Sequence, residues 1–406
     1  MIHLPLLTAA LALAATVFVS STESADVARR RAIPWAIVAL VGTAVGALVG
    51  VVPVGEHGVV TAFTPLSAAL AVTLATLVLA LIVGTPSERV DAAFFGRLLA
   101  TGSVGAAFLL VREPMLLALV WPFTAAPLLA EIRGTARRRV LEHVAVASVL
   151  ALAGTILGVI DAPLVVASGV LLAGVLVREG VAPAHGFVVH AHRAAPIGVA
   201  LLLTQPQLGL HLLAQLDPAA LASLRVPVLA LALLTALGAA YVGLRVDTPR
   251  ALLMHVTLVT TAIAIAALTT SSLSSDAILL VLVVGTSLGA FGLALAIVEA
   301  RGVSPTLSSA TLTLGLVALA LPAGLVLLHA SKADWALQPT ILAVGAVVAS
   351  AGLVVPLARV STPPTSDPEV RVSWSEGSAM TGLALATILL ALHAERFATW
   401  VEVTAR

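Results

Sequence analysis

The sequence predicts an all-α, polytopic membrane bundle of about fourteen helices, and three observations carry that prediction. The composition is too apolar for water: 60% of the 406 residues are apolar, 10% are charged, and the mean hydropathy is +1.12. An ordinary soluble domain has ~45–50% apolar and ~25% charged residues. The apolar residues also fall into runs of the length a ~30 Å hydrocarbon layer demands, about 20 residues of helix. The third observation is that Lys and Arg alternate between loops, as in a chain that crosses back and forth. A soluble globular enzyme is excluded, because 21 Lys and Arg with 20 Asp and Glu cannot cover a water-facing surface for 406 residues. The 30 glycines show no collagen period, and the absence of cysteine removes disulfides, iron–sulfur clusters and cysteine-bound zinc. A formal net charge of +1 offers no basic field for nucleic acid.

The runs lie at 3–21, 33–54, 64–84, 94–111, 115–132, 140–160, 162–178, 195–214, 226–244, 250–270, 276–299, 308–330, 338–358 and 378–395. None shows the ten-residue alternation of a barrel strand. The first has small residues near Ser24 and Ala25, like a secretory leader. It lacks a cationic start, however, and Arg29, Arg30 and Arg31 follow it, so it reads as a retained first helix.

Loops after odd-numbered runs hold sixteen cationic residues, among them Arg133, Arg137, Arg138 and Arg139, whereas loops after even-numbered runs hold three, Arg112, Arg225 and Lys332. The positive-inside rule then puts the odd loops in the cytoplasm and both termini on the other side of the inner (cytoplasmic) membrane. The basic loop at 133–139 reads as a topology anchor or a contact for anionic lipid. The whole of 1–406 is expected to be one transmembrane domain. Within it, helices over 1–132 are peripheral, 133–244 and 245–358 form two inverted-repeat-like halves, and 359–406 supplies a linker and the last helix. That linker is Pro/Ser-rich, with Pro363-Pro364 and Asp367-Pro368.

Ionisable groups at membrane depth are functional candidates, since an unpaired charge there is costly. The densest cluster spans 178–196 and contains Arg178, Glu179, His185, His190, His192 and Arg193, with Gly180 and Pro183 to interrupt a helix. Broken helices are tolerated where they line a cavity or pack inside protein. Two readings stand side by side: a half-helix site whose imidazoles exchange protons near neutral pH, or an interfacial loop of solvated His and Arg. His190 and His192, two residues apart, point to opposite sides, so no metal site is expected. Glu142, His143, His211, His255, Asp276 and His329 are more isolated. No Ser-His-Asp spacing, glycine-rich phosphate loop or carboxylate pair appears, so neither a catalytic residue nor a cofactor is expected in this chain.

The 178–196 segment resembles the signature of the antiporter-like, proton-translocating subunits of respiratory complex I (NADH:quinone oxidoreductase), a superfamily shared with Mrp-type cation/proton antiporters and membrane-bound hydrogenases. Arg178 stands where that signature has a lysine ending the seventh helix, Pro183 and His185 fit its spacing, and His192 precedes Ala195-Pro196. Further echoes are Phe63-Thr64-Pro65-Leu66-Ser67, Trp121-Pro122 through Pro127, Asp247 to Arg250, Glu299-Ala300-Arg301-Gly302, and Leu321-Pro322-Ala323-Gly324. The resemblance implies about fourteen spans with helices broken near the seventh and twelfth, at Pro183 and Pro322.

The sequence departs from that pattern where the family keeps charges. The fifth-helix glutamate falls at Pro122, the eighth-helix lysine at Gly209, the eleventh-helix histidine near Val283, and the twelfth-helix charge near Ala330, beside His329. Arg178 keeps its charge, but a guanidinium with a pKa above ~12 does not release a proton in turnover. The resemblance therefore implies a path over His185, His192, His211, His255 and His329 with bridging waters, Arg178 serving as a fixed charge beside Glu179. The function expected is a membrane subunit that conducts protons or cations in a complex I-like energy-coupling assembly, with the lipid bilayer and other membrane subunits as partners. The alternatives are a non-conducting structural subunit, or the membrane partner in ion-driven inorganic-carbon uptake.

Overall fold

A computed structural model of the chain describes residues 4–49, 63–204, 207–214, 216, 218–270, 275–334, 336–362, 372–393, 396 and 399. The expected Pro/Ser-rich linker around Pro363 and Asp367 lies outside the described residues. In chain order the helices are α1 (Leu4–Ser20), α2 (Ala25–Val49), α3 (Pro65–Gly84), α4 (Ala92–Leu110), α5 (Pro114–Val120), α6 (Ala126–Leu129), α7 (Gly134–Val159), α8 (Leu164–Arg178) and α9 (Gly186–Ala194). They continue with α10 (Ile197–Thr204), α11 (Gln207–Leu213), α12 (Pro218–Gly243), α13 (Pro249–Thr270), α14 (Ser275–Arg301), α15 (Pro305–Lys332), α16 (Leu337–Gly352), α17 (Val354–Ser361) and α18 (Trp374–Leu392).

Among the described residues, 10 helices are long and apolar enough to cross a membrane. The expected runs at 3–21, 115–132, 162–178 and 195–214 take the form of shorter apolar helical stretches, Leu4–Ser20, Pro114–Leu129, Leu164–Arg178 and Ile197–Leu213. The chain is a multi-span, all-helical membrane protein. Its outermost helices turn Val17, Leu48, Val149, Val242 and Val348 outward, an apolar exterior suited to lipid rather than water.

Helix starts are set by local chemistry. Thr64 caps α3 through a reciprocal box with Ser67, and Pro65 fills the first turn, where a missing N–H costs nothing. Asp91 accepts the Phe94 N–H at 2.8 Å to open α4, and Ser304 opens α15 ahead of Pro305. Ser373 and Glu376 close a second box at α18. Two helices begin well ahead of their apolar runs, α2 at Ala25 and α12 at Pro218. The opening of α2 carries Asp26 and Arg29, and that of α12 has Pro218 in the first turn followed by Ala219 and Ala220, all compatible with helix before the apolar run begins.

The interruption expected at Pro322 does not occur, because α15 runs through Pro322 as one helix from Pro305 to Lys332. Proline removes the N–H that would bond Ala318, a loss that membrane helices absorb by local adjustment. By contrast, Trp121-Pro122 do interrupt the expected fifth run, as a 3₁₀ turn over Trp121–Thr124 between α5 and α6.

The core is built around α14, buried from residue 277 to residue 295 against α3, α10, α13, α15 and α18. From Ile278 to Ile297 it is apolar on every side except at Thr286 and Ser287, whose hydroxyls bond carbonyls of the same helix, as an enclosed helix requires. Helices α7 and α8 approach closely because small residues meet. A Cβ on Gly154 would stand 2.5 Å from the Leu171 nitrogen, and one on Gly174 would stand 2.7 Å from the Ala147 carbonyl oxygen.

Ion pairs tie together the loops that follow odd-numbered runs. Arg301 joins Glu88 at 2.8 Å and Glu376 at 2.7 Å, and Arg89 donates to the Ala300 carbonyl at 3.2 Å. Arg250 bonds Glu299 at 2.5 Å and the Ala195 carbonyl at 2.9 Å, Arg359 bonds Asp247 at 2.8 Å, and Arg97 pairs with Glu131. These cations therefore gather at one end of the bundle and fasten its loops to one another.

Candidate functional site

The segment between α8 and α9 follows from its sequence residue by residue. Glu179 ends α8, and Gly180 takes the left-handed conformation at φ +72°. Its neighbours complete a Schellman motif, with the Val181 N–H on the Leu176 carbonyl at 3.0 Å and the Gly180 N–H on the Val177 carbonyl at 3.4 Å. The next donor, the Ala182 N–H, is taken by Thr235 Oγ1 of α12 at 2.8 Å. The Ala182-Pro183 peptide is cis. Backbone groups freed from the helix thus find partners inside the protein, which lets irregular chain persist within an apolar bundle.

Arg178 and Glu179 are 4% and 3% exposed, and their side chains leave the end of α8 in different directions. The Arg178 guanidinium lies between two rings, with its carbon 5.6 Å from the Trp121 centroid and 5.8 Å from that of Phe187, and it donates to Thr124 Oγ1 at 3.4 Å. This seat joins the 3₁₀ turn to α9 through cation–π contacts. Glu179 turns to α11 instead, where Gly209 contributes a backbone hydrogen bond and a Cα with no side chain. A Cβ at Gly209 would stand 2.1 Å from Glu179 Oε1. Arg178 Nη1 and Glu179 Oε2 are buried without a hydrogen-bond partner.

Three histidines are also buried. His192 Nε2 is 3.2 Å from Thr204 Oγ1, whose own hydrogen goes to the Ala200 carbonyl, so the imidazole is the donor. His211 donates from Nε2 to the Val111 carbonyl at 2.9 Å, edge-on to Phe108. His255 bonds the Ala239 carbonyl. The Nδ1 atoms of His192 and His255 are buried without a partner, each presenting a lone pair. Arg250 and His255 are the titratable neighbours of His192, and α9 packs against α13, so the two helices share one polar zone. Among the described residues no group of three His, Asp or Glu is placed to hold a metal ion.

Not every expected residue points inward. His185 and Pro183 are exposed on the surface of the chain. The reason is competition at the start of α9, where Phe187 and Val188 take the interior positions and the imidazole is left outside. His329 is half-buried near the end of α15. Neither hydropathy nor charge counting marked Trp121, Thr124, Thr204, Thr235 or Gly209 as part of the site. The signal available was hydroxyls and a glycine within apolar runs, which averaging conceals. The structure thus brings Arg178 and Glu179 to one break, sets His192 and His255 on the packed helices α9 and α13, and leaves His185 exposed.

No family model matches the sequence, and no curated protein matches it. Solved structures do. A chain of respiratory complex I from Thermus thermophilus, solved with bound NADH, aligns with a TM-score of 0.77 over 99% of this chain and 98% of its own, at 18% identity. A chain of the Mrp complex from Dietzia sp. DQ12-45-1b aligns at 0.73 over 99% and 95%, with 14% identity. A chain of the membrane-bound sulfane sulfur reductase, an archaeal respiratory membrane complex, aligns at 0.76 over 98% and 95%, with 12% identity. The fold of this chain is the one found in a subunit of each of these complexes.

Proposed function

Taking that shared fold as the premise, we propose that this chain is an antiporter-like membrane subunit of an energy-coupling assembly, helping to move protons or another cation across the inner membrane beside other membrane subunits. The observation that carries the reading is the pair Arg178 and Glu179, adjacent charges buried where α8 stops, with polar atoms that lack protein partners. An unmet buried polar group costs about 1–3 kcal/mol, and water or a transferred proton would meet it. The path runs from Glu179, held by the fixed charge of Arg178, over His192, His211 and His255. His185 and His329 are its exchange points nearer the surface. A broken seventh span fits α8 and α9, and the ten long helices with the four shorter stretches support fourteen spans. Both termini then lie outside, and 133–244 and 245–358 form the halves that rock around the path, flanked by 1–132 and 359–406.

The test is transport by the assembly, purified with its partner subunits and sealed in liposomes that contain a pH-sensitive dye. Arg178→Ala should abolish proton movement, and His185→Ala should slow it. If both variants match the parent, the path is wrong.

A second reading, a structural subunit that does not conduct, is favoured by α14. That helix carries no ionisable residue from Ala277 to Val298, and Val283 is fully buried. A parent assembly that moves no protons but falls apart without this chain would establish it.

A further inference from the structure

We propose that Glu179 is the group in this break that takes up and gives back the proton, and that Gly209 is the positioning residue that makes room for its carboxyl group. This rests on the reading of the chain as a translocating subunit and goes beyond it by naming the exchanging atom.

The argument begins with what Arg178 cannot do. Its guanidinium stays protonated at any pH a membrane enzyme meets, and it is held by Trp121, Phe187 and Thr124. It is a fixed positive charge. Glu179, next along the chain, is as deeply buried but is held differently. Oε1 occupies the space over Gly209 where any other residue would carry a Cβ, 2.1 Å from the carboxylate oxygen, with Cδ at 2.9 Å and Cγ at 3.1 Å. Oε2 is buried and has no partner. A carboxylate held by one oxygen, with the other oxygen unbonded, is a seat for a proton. Protonation forms an O–H bond at Oε2 as the donor, a hydronium or protonated water chain, loses one; release is the reverse, and no electrons move.

These polar groups on the elements packed against α8 do not take over that role. Arg178 is the charge that acts on it. On α11, His211 is two residues from Gly209, on the far side of the helix, and donates to Val111. On α12, Thr235 is engaged with the Ala182 N–H and the Leu231 carbonyl. On α7, His143 bonds the Arg139 carbonyl and faces Phe187.

The experiment uses the intact assembly in liposomes, with dye-reported proton movement and the infrared carbonyl stretch of a protonated carboxyl group followed through a pH titration. Glu179→Gln keeps shape and hydrogen bonding, so it should assemble, yet lose roughly a hundredfold in proton movement and lack a carbonyl band that the parent shows. Glu179→Asp should retain the band and part of the rate. Gly209→Ala should shift the band, whereas a packing defect alone would leave its titration unchanged. Proton movement in Glu179→Gln equal to the parent overturns this inference while leaving the functional reading in place. If the parent moves no protons, the functional reading fails, and the infrared titration still decides: a band absent from Glu179→Gln supports exchange at Glu179, and identical spectra overturn it.

Discussion

Thr235 Oγ1 of α12 accepts the Ala182 N–H at 2.8 Å, so a single hydroxyl on a neighbouring helix anchors the irregular chain between α8 and α9. Thr235→Val keeps the shape and removes the acceptor. The orphaned amide should cost about 1–3 kcal/mol, read as a lower unfolding temperature in detergent, and Thr235→Ser should restore it. A valine variant as stable as the parent would mean that this tether holds nothing.

Gly180 and Gly382 should respond in opposite ways to alanine. Gly180 lies at φ +72°, and a Cβ there would stand 2.4 Å from Val188 Cγ2, so the substitution costs about 1–2 kcal/mol from conformation alone, with the clash added. Gly382 has nothing within 4 Å inside α18, and alanine there should stabilise by about 0.5–1 kcal/mol. Paired thermal melts check both signs.

Arg301 answers a Glu376 side chain that is 0% exposed. Arg301→Ala leaves that carboxylate buried and unpaired, a loss of about 3–5 kcal/mol. The double variant with Glu376→Gln should recover a substantial share, because the stranded charge is gone. Equal instability of the single and double variants would show that packing, and not charge, holds this end of the bundle.

Glu88 lies between α3 and α4, outside the spans. Partial burial raises its pKa, but a backbone hydrogen bond and the Arg301 guanidinium outweigh that and hold it below the ordinary carboxylate value. A depressed folded pKa means the unfolded chain binds the proton first. The stabilisation is therefore complete above the unfolded value, ~4.3, and is lost as pH falls through the lower folded one. Melts between about pH 5 and 3 should show a parent-minus-Glu88→Gln difference that shrinks with acid; a flat difference would remove Glu88 from the acid response.

Arg178→Lys separates a fixed charge from an exchanging one. Lysine keeps the cation but loses the planar stack between Trp121 and Phe187 and the reach to Thr124. The fixed-charge role predicts a several-fold drop in transport by the reconstituted assembly. Unchanged or faster transport would mean that position 178 itself can exchange protons.

The apolar runs, the cationic loops and the end of α8 at Arg178 could all be read from the residues alone. A membrane crossing must satisfy its backbone within its own helix and bury about 20 apolar side chains in lipid, so the information is local and contiguous. Gly180 likewise announces a helix end, because it alone takes a positive φ at no steric cost. What local pattern could not fix was direction around the helix axis and distance between helices. His185 and His192 look alike in sequence, yet packing of Phe187 and Val188 turns the first outward, while His192 meets Thr204. Pro322 reads as a break but is carried through α15. Gly209 reads as a lost charge, until the carboxyl group of Glu179 is found in the space it leaves. These depend on side chains from segments far apart in the chain filling one volume, and that competition is resolved only when all the helices pack together.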